Sequence, residues 1–187
     1  MANKVKYGLK NVYYSVITIG TDSKEVYATP VAIPGAVSLS LDAQGDETKF
    51  YADDSIYWRA YSNQGYEGSL EMAIIPDAFK TACLGYRTDN NGVLVESKSD
   101  NAASFALLFQ FDGDDAATKH VLYSCKAQRP SVTGSTSAES LEAQTESVTV
   151  SAVPSVDGYV KASCNSTATT AYTAWFTSVQ KPGTFPA

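Results

Sequence analysis

The chain reads as a mainly β protein of the sandwich or barrel kind, built as a single domain over 1–187. Apolar and polar residues alternate with period two in run after run, turn signals rich in Gly, Pro and Asp fall between the runs, and only one segment carries a helical pattern. With 187 residues, 44% of them hydrophobic, one sizeable core can be built, and two full domains would be cramped.

The first strand signal is Asn11 to Ile19, rich in Tyr, Val and Ile and closed by Gly20. Pro30, Pro34 and Gly35 punctuate the approach to a run in which Val37, Leu39 and Leu41 alternate with Ser38, Ser40 and Asp42. After Gly65 and Gly68 the alternation resumes, Leu70, Met72 and Ile74 against Ser69, Glu71 and Ala73. Pro76 to Gly85 has a proline start, good helix formers and a terminal glycine, with Phe79, Ala82 and Cys83 on one face. At about two turns such a helix must dock on the sheet to be stable.

Ser104 to Phe111 is predicted as a central strand, Phe105, Leu107, Phe109 and Phe111 on one face and Ala106, Leu108 and Gln110 on the other, covered on at least one side. The turn Asp112-Gly113-Asp114-Asp115 leads into a return strand over Thr118 to Gln128, on which Val121, Tyr123, Cys125 and Ala127 alternate. Segment 131–144 is rich in Ser and Thr without apolar periodicity and reads as a loop or mobile arm. Strands are expected again at Ser147 to Val153, at Tyr159 to Cys164 and at Tyr172 to Val179. The two prolines after Lys181 cannot continue a ladder.

Between these strands lies a segment that no core needs. Residues 42–64 form a connection far longer than an ordinary hairpin loop, centred on Lys49-Phe-Tyr-Ala-Asp-Asp-Ser-Ile-Tyr-Trp-Arg-Ala-Tyr61. Disordered segments are depleted in large aromatics, so this segment reads as a projecting loop made for contact. The plainer alternative is an insert folded back on its own domain.

Composition bounds the function. A formal charge of −6 argues against a protein that grips nucleic acid, because phosphate binding needs clustered Lys or Arg; it suits one that lets DNA pass without holding it. Cys83, Cys125 and Cys164 lack metal-ligand spacing and read as buried free thiols. The N-terminus has no signal-peptide pattern and no apolar stretch reaches about 20 residues, so synthesis in a cytoplasm and no membrane partner are expected. Asn165-Ser-Thr167 matches a glycosylation sequon and reads as chance.

No catalytic constellation stands out. His120 is the one histidine, and a nucleophile–histidine–acid arrangement would have to be built on it. Asp53-Asp54 and Asp112-Gly113-Asp114-Asp115 read as turn acids, and the second has Tyr123 where a calcium loop needs Glu. Neither a Gly-x-Gly-x-x-Gly nor a Walker-type Gly-Lys-Ser/Thr is present. The expectation is no enzyme, no metal and no cofactor.

Several features read together carry a resemblance. They are Tyr51-Ala-Asp-Asp54, Gly65-x-x-Gly68-x-Leu70-Glu-Met72, the helix ending at Leu84-Gly85, Phe105-Ala-Leu-Leu-Phe109, Thr149-Val-Ser-Ala-Val-Pro154, Asp157-Gly-Tyr-Val160, and Trp175-Phe176 with Val179 and Pro182. In that order and spacing they resemble the major tail proteins of phages with long, non-contractile tails, with Asp54 standing where many such proteins carry Asn.

The resemblance implies a β-sandwich or barrel of the tail-tube type with a flanking helix, assembled into six-membered rings that stack into a hollow tube, the tail tube of the virion and the conduit for ejected double-stranded DNA. It implies partners in the tape-measure and tail-terminator proteins, besides further copies of the chain itself. The 42–64 loop would reach the neighbouring ring, with Phe50, Tyr51, Tyr57, Trp58 and Tyr61 as apolar anchors and Asp53, Asp54 and Arg59 setting register. Strand edges carrying Leu70, Met72, Ile74, Val148 and Val150 would pair between subunits. Asp46, Glu47, Asp112, Asp114, Glu142 and Glu146 are the candidate lumen acids. The alternative reading is a monomeric carbohydrate- or peptide-binding β-sandwich, for which twelve tyrosines and two tryptophans would furnish a stacking platform.

Overall fold

A computed structural model describes residues 5–136 and 143–183. The mainly β class holds, in the form of one large antiparallel sheet. Chain order gives β1 (Tyr7–Ile19), β2 (Glu25–Tyr27), β3 (Val31–Ala32), β4 (Ala36–Gln44), β5 (Glu47–Ala52), β6 (Ser55–Tyr61) and β7 (Gly65–Met72). There follow α1 (Asp77–Phe79), β8 (Arg87–Thr88), β9 (Leu94–Val95), β10 (Phe105–Asp112), β11 (Lys119–Ala127), β12 (Glu146–Val153), β13 (Lys161–Cys164) and α2 (Thr169–Ala174). The main sheet runs β2-β1-β10-β11-β12-β7-β4, with β3 added to β1 and β13 to β11. It is curled, since β4, last in the hydrogen-bonded order, comes back against β1.

Curling gives the sheet an inside, filled by Leu70, Met72, Phe105, Leu107, Leu122, Cys125, Val148 and Val150. Helix α1 continues through a π-type turn at Lys80–Leu84 and lays Phe79, Cys83 and Leu84 onto this core. Gly85 ends it in the left-handed conformation, while the Tyr86 N–H reaches the Lys80 carbonyl at 3.2 Å. That wrap satisfies carbonyls a helix end would otherwise orphan.

The outer face of β10 and β11 is covered too. Ala106, Leu108, Val121 and Tyr123 pack there against Trp175 and Phe176, so β10 is buried on both faces. The alternation read for β11 breaks on the way. Phe105 pairs with Cys125 but Leu107 with Leu122, so β11 carries one extra residue. A bulge of that kind reverses which face the later side chains take. Val121 and Tyr123 therefore face the outer layer, while Cys125 and Ala127 face the inside.

Two expectations are corrected by packing. Tyr172 to Val179 is not a strand: it begins within α2, and Ala171, Tyr172, Trp175, Phe176 and Val179 form a helical stripe on the outer layer. The apparent alternation at Tyr172, Ala174 and Phe176 coincided with part of a 3.6-residue pattern. Among the described residues two helical segments thus flank the sheet, not one. At the end of β7 the alternation also stops early, so Ile74 is exposed and Ile75 buried. On β4 a register shift between Ala36 and Ser38 leaves Val37 exposed and puts Ala36 against the core. Residues 131–136 carry no regular secondary structure, and the centre of the expected 131–144 arm lies outside the described residues.

Candidate interaction surface

The segment expected as a loop over 42–64 is a β-hairpin. Strands β5 and β6 pair from Glu47↔Tyr61 to Ala52↔Ser55, and the two residues between, Asp53 and Asp54, have φ of 53° and 56°. Two consecutive left-handed residues make the type I′ turn whose twist matches a two-residue hairpin. Asp tolerates this region better than most residues because its short polar side chain bonds locally.

This hairpin prolongs the β4–β7 ribbon. The Gln64 N–H donates to the Gln44 carbonyl at 2.9 Å and the Ser62 N–H to the Asp46 carbonyl at 3.0 Å, carrying the ladder past Gly45. At the root, Gly65 and Gly68 allow backbone to approach backbone. A Cβ on Gly68 would run into the Ser40 carbonyl of β4, and one on Gly65 into the Ala152 carbonyl of β12.

Beyond the root the arm stands in solvent. Phe50, Tyr51, Ile56, Tyr57, Trp58 and Tyr61 are all exposed, so the alternative of an insert folded back on its own domain is corrected. Residues paired across an antiparallel ladder share a face. One face carries Phe50 opposite Trp58, with Tyr57 bulged out beside them and its ring edge-to-face with Phe50 at 6.5 Å. The other carries Glu47 opposite Tyr61 and Lys49 opposite Arg59.

On that second face Glu47 accepts from Lys49 Nζ at 2.8 Å and from the Tyr61 hydroxyl at 2.9 Å. Hydrogen bonds from Lys49 first, then Tyr61, hold its carboxyl below the usual range. Arg59, set against Lys49, makes no ion pair among the described residues. A like-charge pair directly across a ladder is unfavourable.

The other expected site residues are placed differently. Strands β7 and β12 are interior, β7 between β12 and β4 and β12 between β11 and β7. Their Leu70, Met72, Val148 and Val150 are fully buried in the chain's own core. They are not free edges, and Ile74 lies past the end of β7. Among the candidate lumen acids, Asp112 binds Lys10 at 2.6 Å and Asp114 accepts from the Ala116 and Thr118 N–H groups. Glu146 accepts from the Ile75 N–H at 2.8 Å, Asp46 accepts from the Gln64 amide, and Glu47 belongs to the arm. Glu142 lies outside the described residues.

A different set of acids shares one face. Positions facing away from the core on β4, β7 and β12 are Ser38, Ser40, Asp42, Glu67, Ser69, Glu71, Ser147, Thr149 and Ser151, aligned in register. Glu71 accepts from the Thr145 hydroxyl and then from that of Ser38, which lower its carboxyl's pKa. The face is acidic and covered in short hydroxyls. Its signal was in the sequence, as the polar half of each alternating run, but only the pairing of these three strands joins it.

His120 stacks on Phe109 at 5.2 Å and meets Phe111 edge-on. Burial, then Lys161 and Lys6, lower its pKa. All three cysteines are free and buried as expected, with burial pushing the Cys83 and Cys125 thiols up to about 12. Among the described residues no group of His, Cys, Asp or Glu is arranged to hold a metal, and no helix is long and apolar enough to cross a membrane.

No family model matches the chain, and no curated protein does. Among solved structures it is similar to the anti-feeding prophage cap, a tube-terminating cap, at 11% identity and a TM-score of 0.45, over 86% of this chain and 93% of that one. At that level the likeness carries no argument about what this chain does.

Proposed function

We propose that the chain is a structural subunit of a phage-type tail tube, which assembles with copies of itself into stacked rings and performs no reaction. The observation that carries this reading is the arm: a hydrogen-bonded hairpin whose aromatic side chains are exposed along its length. A monomer gains nothing from holding such residues in water, whereas buried aromatics dominate interface energies. The sequence resemblance to tail-tube proteins independently assigns a contact role to the same segment.

The acidic, hydroxyl-covered face of β4, β7 and β12 suits the wall of a DNA passage. Carboxylates repel phosphate and nothing there releases counterions to hold a strand. On this reading rings are hexameric, the tape-measure and terminator proteins are partners of the assembly, and the tube is a virion component of the siphophage type.

The test is negative-stain electron microscopy of purified protein across a concentration series, beside sedimentation of the same samples. Rings or hollow tubes that grow with concentration are expected. A monomer at every concentration overturns the reading.

A further inference from the structure

The chain's single histidine lies near the turn that joins β10 to β11, on the same face as Leu122. His120 pairs with Phe109 on β10 and with Ser163 on β13. Residues paired across a ladder share a face, and so do residues two positions along a strand. Lys161 of β13 therefore projects on the His120 side, where its ammonium lies 4.9 Å from the centre of the Tyr66 ring. Lys6, just before β1, reaches the same place. Its ammonium sits 4.7 Å from the centre of the Phe111 ring, which stands 5.8 Å from the His120 ring. Lys6, Phe111 and His120 line a cavity of about 270 Å³ together with Val5, Asp114 and Thr118.

These nitrogens have little to balance them. Among the described residues neither Lys6 nor Lys161 belongs to an ion pair. Burial and charge alone bias the protonation of His120, Lys161 and Lys6 against it and Asp114 for it, with no hydrogen bond among the causes. Asp114, the acid in the cavity wall, is committed elsewhere: its carboxylate accepts from the Ala116 and Thr118 N–H groups at 3.0 and 3.1 Å and from the Thr118 side chain. Once His120 is protonated, three cations face that one acid, in a chain whose formal charge is −6. Like charges gathered this way repel one another, and an anion placed between them removes the cost.

We propose that this cavity binds a tetrahedral dianion of the phosphate kind, held between the Lys6 ammonium and the protonated His120 ring with the Lys161 charge beside them. The group is free phosphate or the terminal phosphate of a monoester. A phosphodiester has one charge and two substituents, so it matches the three cations worse, and the site does not grip a nucleic-acid strand. Bound there, the dianion ties the segment before β1 to β10 and β11. Protonation of His120 and binding of the dianion favour each other by the same factor, as linkage requires. The site uses no residue of the arm and does not rest on the tail-tube reading.

With one histidine in the chain, a single imidazole Cε1–H resonance reports on the site. Its pH titration is followed by NMR on the full chain in sulfate, a tetrahedral dianion that does not itself titrate between about pH 5 and pH 8, and in chloride at matched ionic strength. Saturating sulfate should raise the His120 midpoint by about one pH unit over chloride, since an opposite charge within reach favours the protonated ring. Sulfate should then bind about tenfold more tightly to the protonated form than to the neutral one. Lys6→Gln should weaken sulfate binding about tenfold and Lys161, which acts from farther off, about threefold when changed to Gln. Lys126→Gln, at the other end of β11, should change nothing.

Inorganic phosphate and methyl phosphate, titrated at one pH against the same resonance, distinguish the two sources, and the tighter of them is the form the site takes. Dimethyl phosphate, a monoanionic diester, should leave the resonance where chloride does. A His120 midpoint that is the same in sulfate and in chloride overturns the site. So does a Lys6→Gln variant, folded by circular dichroism, that binds sulfate unchanged, or a dimethyl phosphate that shifts the resonance as far as sulfate.

Discussion

Phe50 stands directly across the β5–β6 ladder from Trp58, and both rings are more than half exposed, at 58% and 54%. Phe50 also meets the Tyr57 ring edge-to-face at 6.5 Å, which stabilises the arm locally and leaves an apolar face in water. Truncating Trp58 and Tyr57 to Ala should therefore leave the thermal unfolding midpoint within about 2 °C of the unaltered protein, since exposed positions carry little stability. Assembly measured by sedimentation should fall. A large loss of thermal stability would mean the arm packs on its own domain after all.

The turn at the arm's tip predicts a gain. Asp53 and Asp54 both sit at positive φ, which costs an L-residue roughly 1–2 kcal/mol, less for Asp. Asp54→Gly produces the preferred Asp-Gly turn. Amide exchange of Ile56 to Arg59 should slow by about tenfold at most, with no change at the buried strands β10 and β11.

Gly68 predicts a severe loss. Any Cβ there meets the Ser40 carbonyl carbon at 2.7 Å and Leu41 Cα at 2.9 Å, and both belong to backbone that cannot yield without breaking the β4–β7 ladder. Gly68→Ala should cost about 2–3 kcal/mol, the scale of overpacking a tight core, read by denaturant unfolding. Gly92, with nothing near its absent Cβ but a positive φ of 83°, is the control: its penalty is conformational and smaller.

Trp175 closes the outer layer, 3% exposed, and its indole N–H donates to the His120 carbonyl at 3.3 Å. Trp175→Ala should cost about 3–5 kcal/mol. It should also release the segment from α2 onward to protease before the main sheet unfolds.

His120 sets a pH dependence. Burial first, with Lys161 and Lys6 adding, lowers its folded-state pKa, while the unfolded chain binds the proton at about 6.5. Between those values the unfolded state holds more protons, so stability is complete above about pH 6.5 and is lost as pH falls toward the folded pKa. His120→Phe should flatten the unfolding midpoint between pH 7 and pH 5.5. A profile as steep as that of the unaltered protein would assign the slope to other groups.

Much of this architecture was legible in the chain alone. Period-two patterning identified β4, β7, β10 and β12 because each has one side facing an apolar interior, and a strand's side chains have no other period available. The helical stretch at 76–85 was legible from its proline and glycine ends. The aromatic excess of 42–64 was sufficient to mark a segment that no core required, and those aromatics stand in solvent.

Tertiary structure decided what pattern cannot encode. Whether β7 and β12 are edges or interior depends on which strands flank them, and β4 arrives beside β7 only because the arm between them turns at Asp53 and Asp54. The bulge on β11 separates Tyr123 from Cys125, because one unpaired residue shifts the facing of all that follow. The stretch from Tyr172 became the end of α2 and the turn after it, with Tyr172, Trp175, Phe176 and Val179 packed on the outer face of β10 and β11. The acidic face likewise exists only once distant strands are paired, because a surface is a property of neighbours in space.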